Sequence, residues 1–145
     1  MCSCKHEGIL SQSGFGVKVG AMQGLHLTAD LYYCRCDAAW LVDAERLGAW
    51  CVQAVLTCGL QPVGQLFHRF PDSPQGPGGV TATVLLAESH LCVHTWPEQQ
   101  GVTLDVYVCN FGADHTAKAR ALMDALIALF VPDQLQEHSL QRGRV

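Results

Sequence analysis

Between Leu85 and Glu98 the chain reads LLAESHLCVHTWPE, placing an acid, a serine, two histidines, a thiol and a tryptophan within one short stretch. Three chemistries fit those residue types. A structural reading makes them small and polar side chains near a strand end, with His94 a satisfied core histidine. A metal reading uses His90, Cys92 and His94, which share strand parity; imidazole and thiolate suit zinc. A nucleophilic reading takes Ser89 as the reacting group and His94 as its base. Strict alternation puts these two on opposite faces, so the strand must bend or break between them. A Glu88-Ser89 bond in strained backbone can be attacked by the serine's own hydroxyl. The amide then becomes an ester, and elimination and hydrolysis leave a pyruvoyl group on the new N-terminus. No G-x-S-x-G elbow, phosphate-binding glycine loop or paired-carboxylate pattern competes.

The elements that must position these groups follow from periodicity. Leu25 to Tyr33 alternates with Leu25, Leu27, Ala29, Leu31 and Tyr33 on one face, a half-buried strand. From Asp37 through Cys58 the apolar residues recur at helical spacing, with Asp37 able to cap that helix and Gly59 to end it. Residues 62–70 form a second strand, and PDSPQGPGG over 71–79 is a surface loop. Residues 80–87 read as a central strand that the motif continues. Residues 97–101 are a turn, 102–109 an alternating strand, and 114–130 an amphipathic helix stopped by Pro132.

The expected fold is therefore an α+β two-layer sandwich, a mainly antiparallel sheet with both helices on one face. Its domain spans 24–131, between a flexible lead-in at 1–23 and a loosely held polar tail at 132–145. A second copy of the chain is the economical cover for the other sheet face. If Trp96 pairs with Val102 across the turn, Ser89 directly faces Cys109, with Cβ atoms about 4.5–5.5 Å apart.

Composition bounds the rest. The chain has 145 residues, 49% hydrophobic and 15% charged, enough for one buried core. A net charge of −4, with 9 unclustered Lys and Arg, leaves no footprint for nucleic acid. No apolar run reaches the roughly 20 residues that span a bilayer, and the start lacks a signal-peptide pattern. A cytoplasmic location is the expectation. The eight cysteines then read as reduced thiols, mostly packing groups, Cys92 among them.

The stretch GVTATVLLAESHLCVHTWPE over 79–98, followed by DVYVC at 105–109, closely resembles the prokaryotic S-adenosylmethionine decarboxylase proenzymes. GLHLTADLYYC (24–34) and FHRF (67–70) agree, and the resemblance spans residues 24–130. It implies cleavage between Glu88 and Ser89, with a covalent pyruvoyl cofactor made from Ser89. It implies that His94 removes the serine α-proton during processing, that Thr81 assists the acyl shift, and that Cys109 is the catalytic proton donor. Phe70 and Glu98 match positions that stack on adenine and hydrogen-bond ribose. The ketone would form a Schiff base with the substrate amine and accept the electrons released with carbon dioxide. Such an enzyme supplies decarboxylated S-adenosylmethionine for spermidine and other polyamines, working as a homodimer of cleaved protomers. Two departures bear on substrate. Asn110 follows Cys109 where the family carries glycine, and the 71–79 loop is longer, with two extra prolines. Relatives on this scaffold decarboxylate arginine or ornithine, and a non-catalytic partner subunit is a third possibility.

Overall fold

A computed structural model describes residues 22–143. The expected lead-in, with Cys2 and Cys4, lies outside the described residues except for Met22 and Gln23. The elements run β1 (Gln23–Cys34), α1 (Ala39–Val42), α2 (Ala44–Thr57), β2 (Pro62–Arg69), β3 (Val80–Leu86), β4 (Ser89–Trp96), β5 (Gly101–Cys109), α3 (Thr116–Phe130) and β6 (Pro132–Gly143). A short 3-10 turn over Pro97–Gln99 joins β4 to β5. The six strands form one antiparallel sheet in the order β2-β3-β4-β5-β1-β6.

Alternation decides which face each side chain takes. Leu25, Leu27, Ala29 and Leu31 of β1 are buried with Val80, Ala82 and Val84 of β3, Leu91 and Val93 of β4, and the even-numbered residues of β5. Against this face pack Leu47, Cys51 and Val55 of α2 and Leu122, Met123, Leu126 and Phe130 of α3. Helix α2 lies over β2 and β3, and α3 over β1 and β5. Each fully buried Leu or Val contributes about 1.5–3 kcal/mol relative to exposure, so this layer carries the fold. Gly48 permits the close approach of α2, because a Cβ there would stand 2.5 Å from the Phe67 ring. Among the described residues no helix covers the opposite face, which carries Thr81, Thr83, His90, Cys92, His94, Asp105 and Tyr107, all only partly buried.

Four expectations need correction. The strand expected to run from residue 80 into the motif is two strands, because the chain reverses at Ala87-Glu88. The helix expected from Asp37 is split at Asp43, which ends α1 and accepts Arg46 N–H at 3.0 Å as the N-cap of α2. The segment after Pro132 is not a loose tail: β6 pairs with β1 along almost its whole length. Its exposed polar side chains suit an edge strand, which gains from charges that resist further pairing. The β4–β5 register differs by one, with Trp96 opposite Gly101 because Gln100 takes a left-handed conformation at φ 49°.

Candidate active site

The tightest turn of the sheet holds the candidate nucleophile. Leu86 and Ser89 are ladder partners, so only Ala87 and Glu88 make the β3–β4 connection. Neither is a glycine or asparagine, the residues that two-residue hairpins favour. The resulting distortion falls on Ser89, whose φ of 154° lies in a region that L-residues rarely adopt and that costs about 1–3 kcal/mol. Surrounding bonds hold it there. Cys109 donates its backbone N–H to the Glu88 carbonyl at 2.7 Å, and Ala87 N–H donates to Gln61 O at 2.8 Å. The Glu88 carboxylate accepts Gln61 N–H at 3.2 Å. The carbonyl of the Glu88-Ser89 bond is thus polarised by a donor aimed where negative charge would develop in an attack on it.

Cys109 does not face Ser89 as expected. Ser89 pairs with Val108, and Cys109 pairs with Gly24 on β1. The thiol-bearing residue still adjoins the turn, because its main chain is bonded to Glu88. By alternation with Asp105 and Tyr107, its side chain takes the sheet face that no helix covers.

Thr81 and His94 form a second group. They are cross-strand partners on β3 and β4, with Thr81 Oγ1 and His94 Nδ1 2.7 Å apart. Both line a cavity of about 280 Å³ together with Phe70, Gly79, Val80, Thr95, Trp96 and Glu98. The floor is tied down by Thr95, whose buried hydroxyl accepts Val80 N–H at 2.8 Å and donates to Leu41 O at 2.7 Å. Arg69 and Asp72, 2.6 Å apart, brace the base of the 71–79 loop beside it. The Gly78 N–H and the Arg69 guanidinium hold the Asp72 carboxyl below the usual carboxylate range.

The structure therefore gathers Phe70, Thr81, His94 and Glu98 in one place and Glu88, Ser89 and Cys109 in another. Five positions separate Ser89 from His94 on the same strand. At about 3.3 Å per residue that is roughly 16 Å, beyond the reach of a histidine side chain. The expected base and nucleophile are not in contact within one chain.

His90, Cys92 and His94 do share a face, yet each has its own partner. Cys92 Sγ lies 3.6 Å from Thr83 Oγ1, and burial pushes its thiol up, as does the Asp105 charge. His90 Nε2 lies 2.8 Å from Asp105 Oδ1. The other Asp105 oxygen lies 2.8 Å from His26 Nε2, a group the sequence did not suggest. Ligand-capable atoms of His26, His90 and Asp105 all lie within 4.8 Å of one another. Only the ladder brings them together, since His26 and Asp105 stand far apart in the chain with no spacing signature.

Residues 25–143 match the family model for S-adenosylmethionine decarboxylase. An S-adenosylmethionine decarboxylase proenzyme from Persephonella marina is 35% identical over 122 residues, covering 84% of this chain and 84% of its own length. A proenzyme of the same description from a Sulfurihydrogenibium species is 36% identical over 122 residues, with the same coverage of both chains. Among solved structures, the adenosylmethionine decarboxylase of Aquifex aeolicus superposes with a TM-score of 0.73 at 34% identity. That match covers 87% of this chain and 95% of the other. The family model matches over most of the chain, the relatives agree at this identity, and the fold superposes on that of a solved member: this chain belongs to the S-adenosylmethionine decarboxylase family.

Proposed function

We propose that this chain is a self-processing, pyruvoyl-dependent decarboxylase of S-adenosylmethionine that cuts itself between Glu88 and Ser89 and feeds polyamine synthesis in the cytoplasm. The observation that carries the processing half is the Glu88-Ser89 turn, with its left-handed serine and its carbonyl hydrogen-bonded by Cys109 N–H. The Ser89 hydroxyl adds to the Glu88 carbonyl carbon, and the Cys109 N–H stabilises the oxyanion that forms. Collapse breaks the amide and leaves an ester, relieving the backbone strain at residue 89. A base removes the α-proton of residue 89, the bond between its Cβ and Oγ breaks, and the main chain of Glu88 leaves as a new terminal carboxylate. Water then displaces the nitrogen as ammonia, and residue 89 becomes a pyruvoyl group.

That group supplies an electron sink during loss of carbon dioxide. The chain's own residues do the rest. Cys109, beside the turn, is the proton donor to the decarboxylated carbon. Phe70, half exposed at the cavity, offers a ring face to the purine, and Glu98 offers a carboxylate to the ribose hydroxyls. A purine can stack on such a ring while ribose hydroxyls donate to the carboxylate, so the pair suits an adenosyl group.

The separation of Ser89 from His94 supports a homodimer whose sites are completed between subunits. Thr81 and His94 of one protomer would serve Ser89 and Cys109 of its partner. Among the described residues no helix is long and apolar enough to cross a membrane.

Intact-mass spectrometry tests the processing. The wild-type chain should separate into two fragments meeting at position 89, the second carrying a pyruvoyl end, and Ser89→Ala should remain whole. A cut, active Ser89→Ala protein sinks the mechanism. Carbon dioxide release compared across S-adenosylmethionine, arginine and ornithine tests the substrate. Release from the two basic amino acids alone would replace the assignment.

A further inference from the structure

The sheet face without helices carries a row of side chains that the processing chemistry does not use. His90 on β4 and His26 on β1 are both ladder partners of Tyr107 on β5, which stands between them. Its ring lies 5.5 Å from His26 and 5.8 Å from His90. Both imidazoles turn one step along β5 to Asp105, each at 2.8 Å on its own oxygen. Behind His26, Arg142 Nη1 of β6 lies 3.1 Å from Nδ1. Gly24 leaves room for this arrangement, because a Cβ there would stand 2.9 Å from Tyr107 Cε2.

The proton inventory separates a metal site from a hydrogen-bond network. A guanidinium has only donors, so His26 Nδ1 accepts from Arg142 and the ring proton sits on Nε2. Nε2 donates that proton to Asp105 and has no lone pair left for a cation. The ionised carboxylate, an acceptor on both oxygens, likewise takes the Nε2 proton of His90. Four strands, β4, β5, β1 and β6, are thereby linked through Asp105 into one chain of hydrogen bonds.

We infer that His90, held by Asp105 with His26 and Arg142 behind it, is a positioning residue that keeps the new N-terminus in register after the chain is cut. This role presupposes the self-processing proposed above. Before cleavage, the two-residue turn holds Ser89 against Leu86. After cleavage that link is gone, and conversion to pyruvoyl removes the backbone N–H of residue 89. Strand β4 then begins with an end that donates nothing to the ladder. The first side chain behind it is His90, and its bond to Asp105 on the central strand β5 is the nearest side-chain anchor of that end. The departing end has a separate anchor, because Glu88 is bonded to Cys109 and Gln61.

A network that only supports the fold would matter equally before and after the cut, whereas this one matters only after it. The test compares His90→Ala in two backgrounds, the self-cut chain and the uncut Ser89→Ala chain. Amide hydrogen exchange over residues 90–92 should quicken about tenfold in the cut His90→Ala protein and change little in the uncut double variant. His90→Ala should still be cut, as shown by mass, and its kcat should fall about 10- to 100-fold with KM held near the wild-type value. His90→Gln, whose amide retains a donor, should recover part of that loss. Wild-type exchange and kcat in cut His90→Ala would overturn the role, as would equal quickening in both backgrounds. Failure of His90→Ala to cleave would overturn it too, by moving the network into processing. Stoichiometric binding of zinc by the wild type, lost in His26→Ala, would show a metal site instead. An uncut wild-type chain is distinguishable from all of these, because it removes the self-processing itself.

Discussion

Cys109 adjoins the Glu88-Ser89 turn, where its backbone and its side chain have separable roles in the proposed chemistry. Its N–H polarises the Glu88 carbonyl, and its thiol stands on the uncovered sheet face beside the same turn. The two roles separate on mutation, because alanine keeps the N–H and loses only the sulfur. Cys109→Ala is expected to cleave at 88–89 much as the wild type does, by mass, while carbon dioxide release falls about 10²- to 10⁴-fold, the usual worth of a positioned proton donor. Undiminished release would place the proton donor elsewhere. At this scale the motif was readable wherever its groups are close in sequence. Ser89 and His94 stand out by their types and order, whereas Thr81 is singled out only by the family resemblance. The pairing of His26 with Asp105 was not readable, because it depends on which strands become neighbours.

The elements explain which expectations needed correction. Strands β1 and β5 alternate cleanly because one face is buried against helices and the other is not. β6 alternates little because both of its faces are exposed, so its residues carry no burial signal. The β3–β4 reversal was hidden because Ala87-Glu88 has none of the usual turn chemistry. That mismatch between residue and conformation is the same strain that would favour the proposed acyl shift, so the least predictable turn is also the one proposed to react. The mouth of the cavity depends on a close crossing at Gly79, where a Cβ would stand 2.2 Å from Thr95 O and 3.0 Å from Pro97 Cδ. The first neighbour is backbone and has little freedom to yield. Gly79→Ala is expected to destabilise the fold by about 1–3 kcal/mol in denaturant titration and to raise KM, since β3 must move away from His94 and Glu98. Wild-type stability together with wild-type KM would show that the crossing is not rigid.

For the whole molecule, the sheet puts the two halves of the candidate site at opposite ends of one hairpin. If sites form between protomers, a defect in each half can be rescued by the other. Ser89→Ala and His94→Ala chains should each stay uncut when made alone. Made together, they should yield cut His94→Ala chains, whose Ser89 meets the His94 of the partner. Persistence of both chains uncut on co-expression would argue that each protomer works by itself.

The strand order has a further consequence. Opening the bond at Glu88-Ser89 leaves β1, β2 and β3 on one piece and β4, β5 and β6 on the other. In the sheet, β1 of the first piece lies between β5 and β6 of the second. The pieces are interleaved, and they cannot part without unzipping both sides of β1. Folding of the uncut chain is unimolecular, whereas reassembly of the mature protein from denaturant requires two chains to meet. Formation of the protomer's sheet, followed by far-ultraviolet circular dichroism, should proceed at a rate independent of protein concentration in Ser89→Ala and at a rate that rises with it in the cut enzyme. Cleavage as proposed would turn an equilibrium fold into a kinetically trapped one: the finished molecule would persist because its parts have no easy way out, and once lost it would have no easy way back.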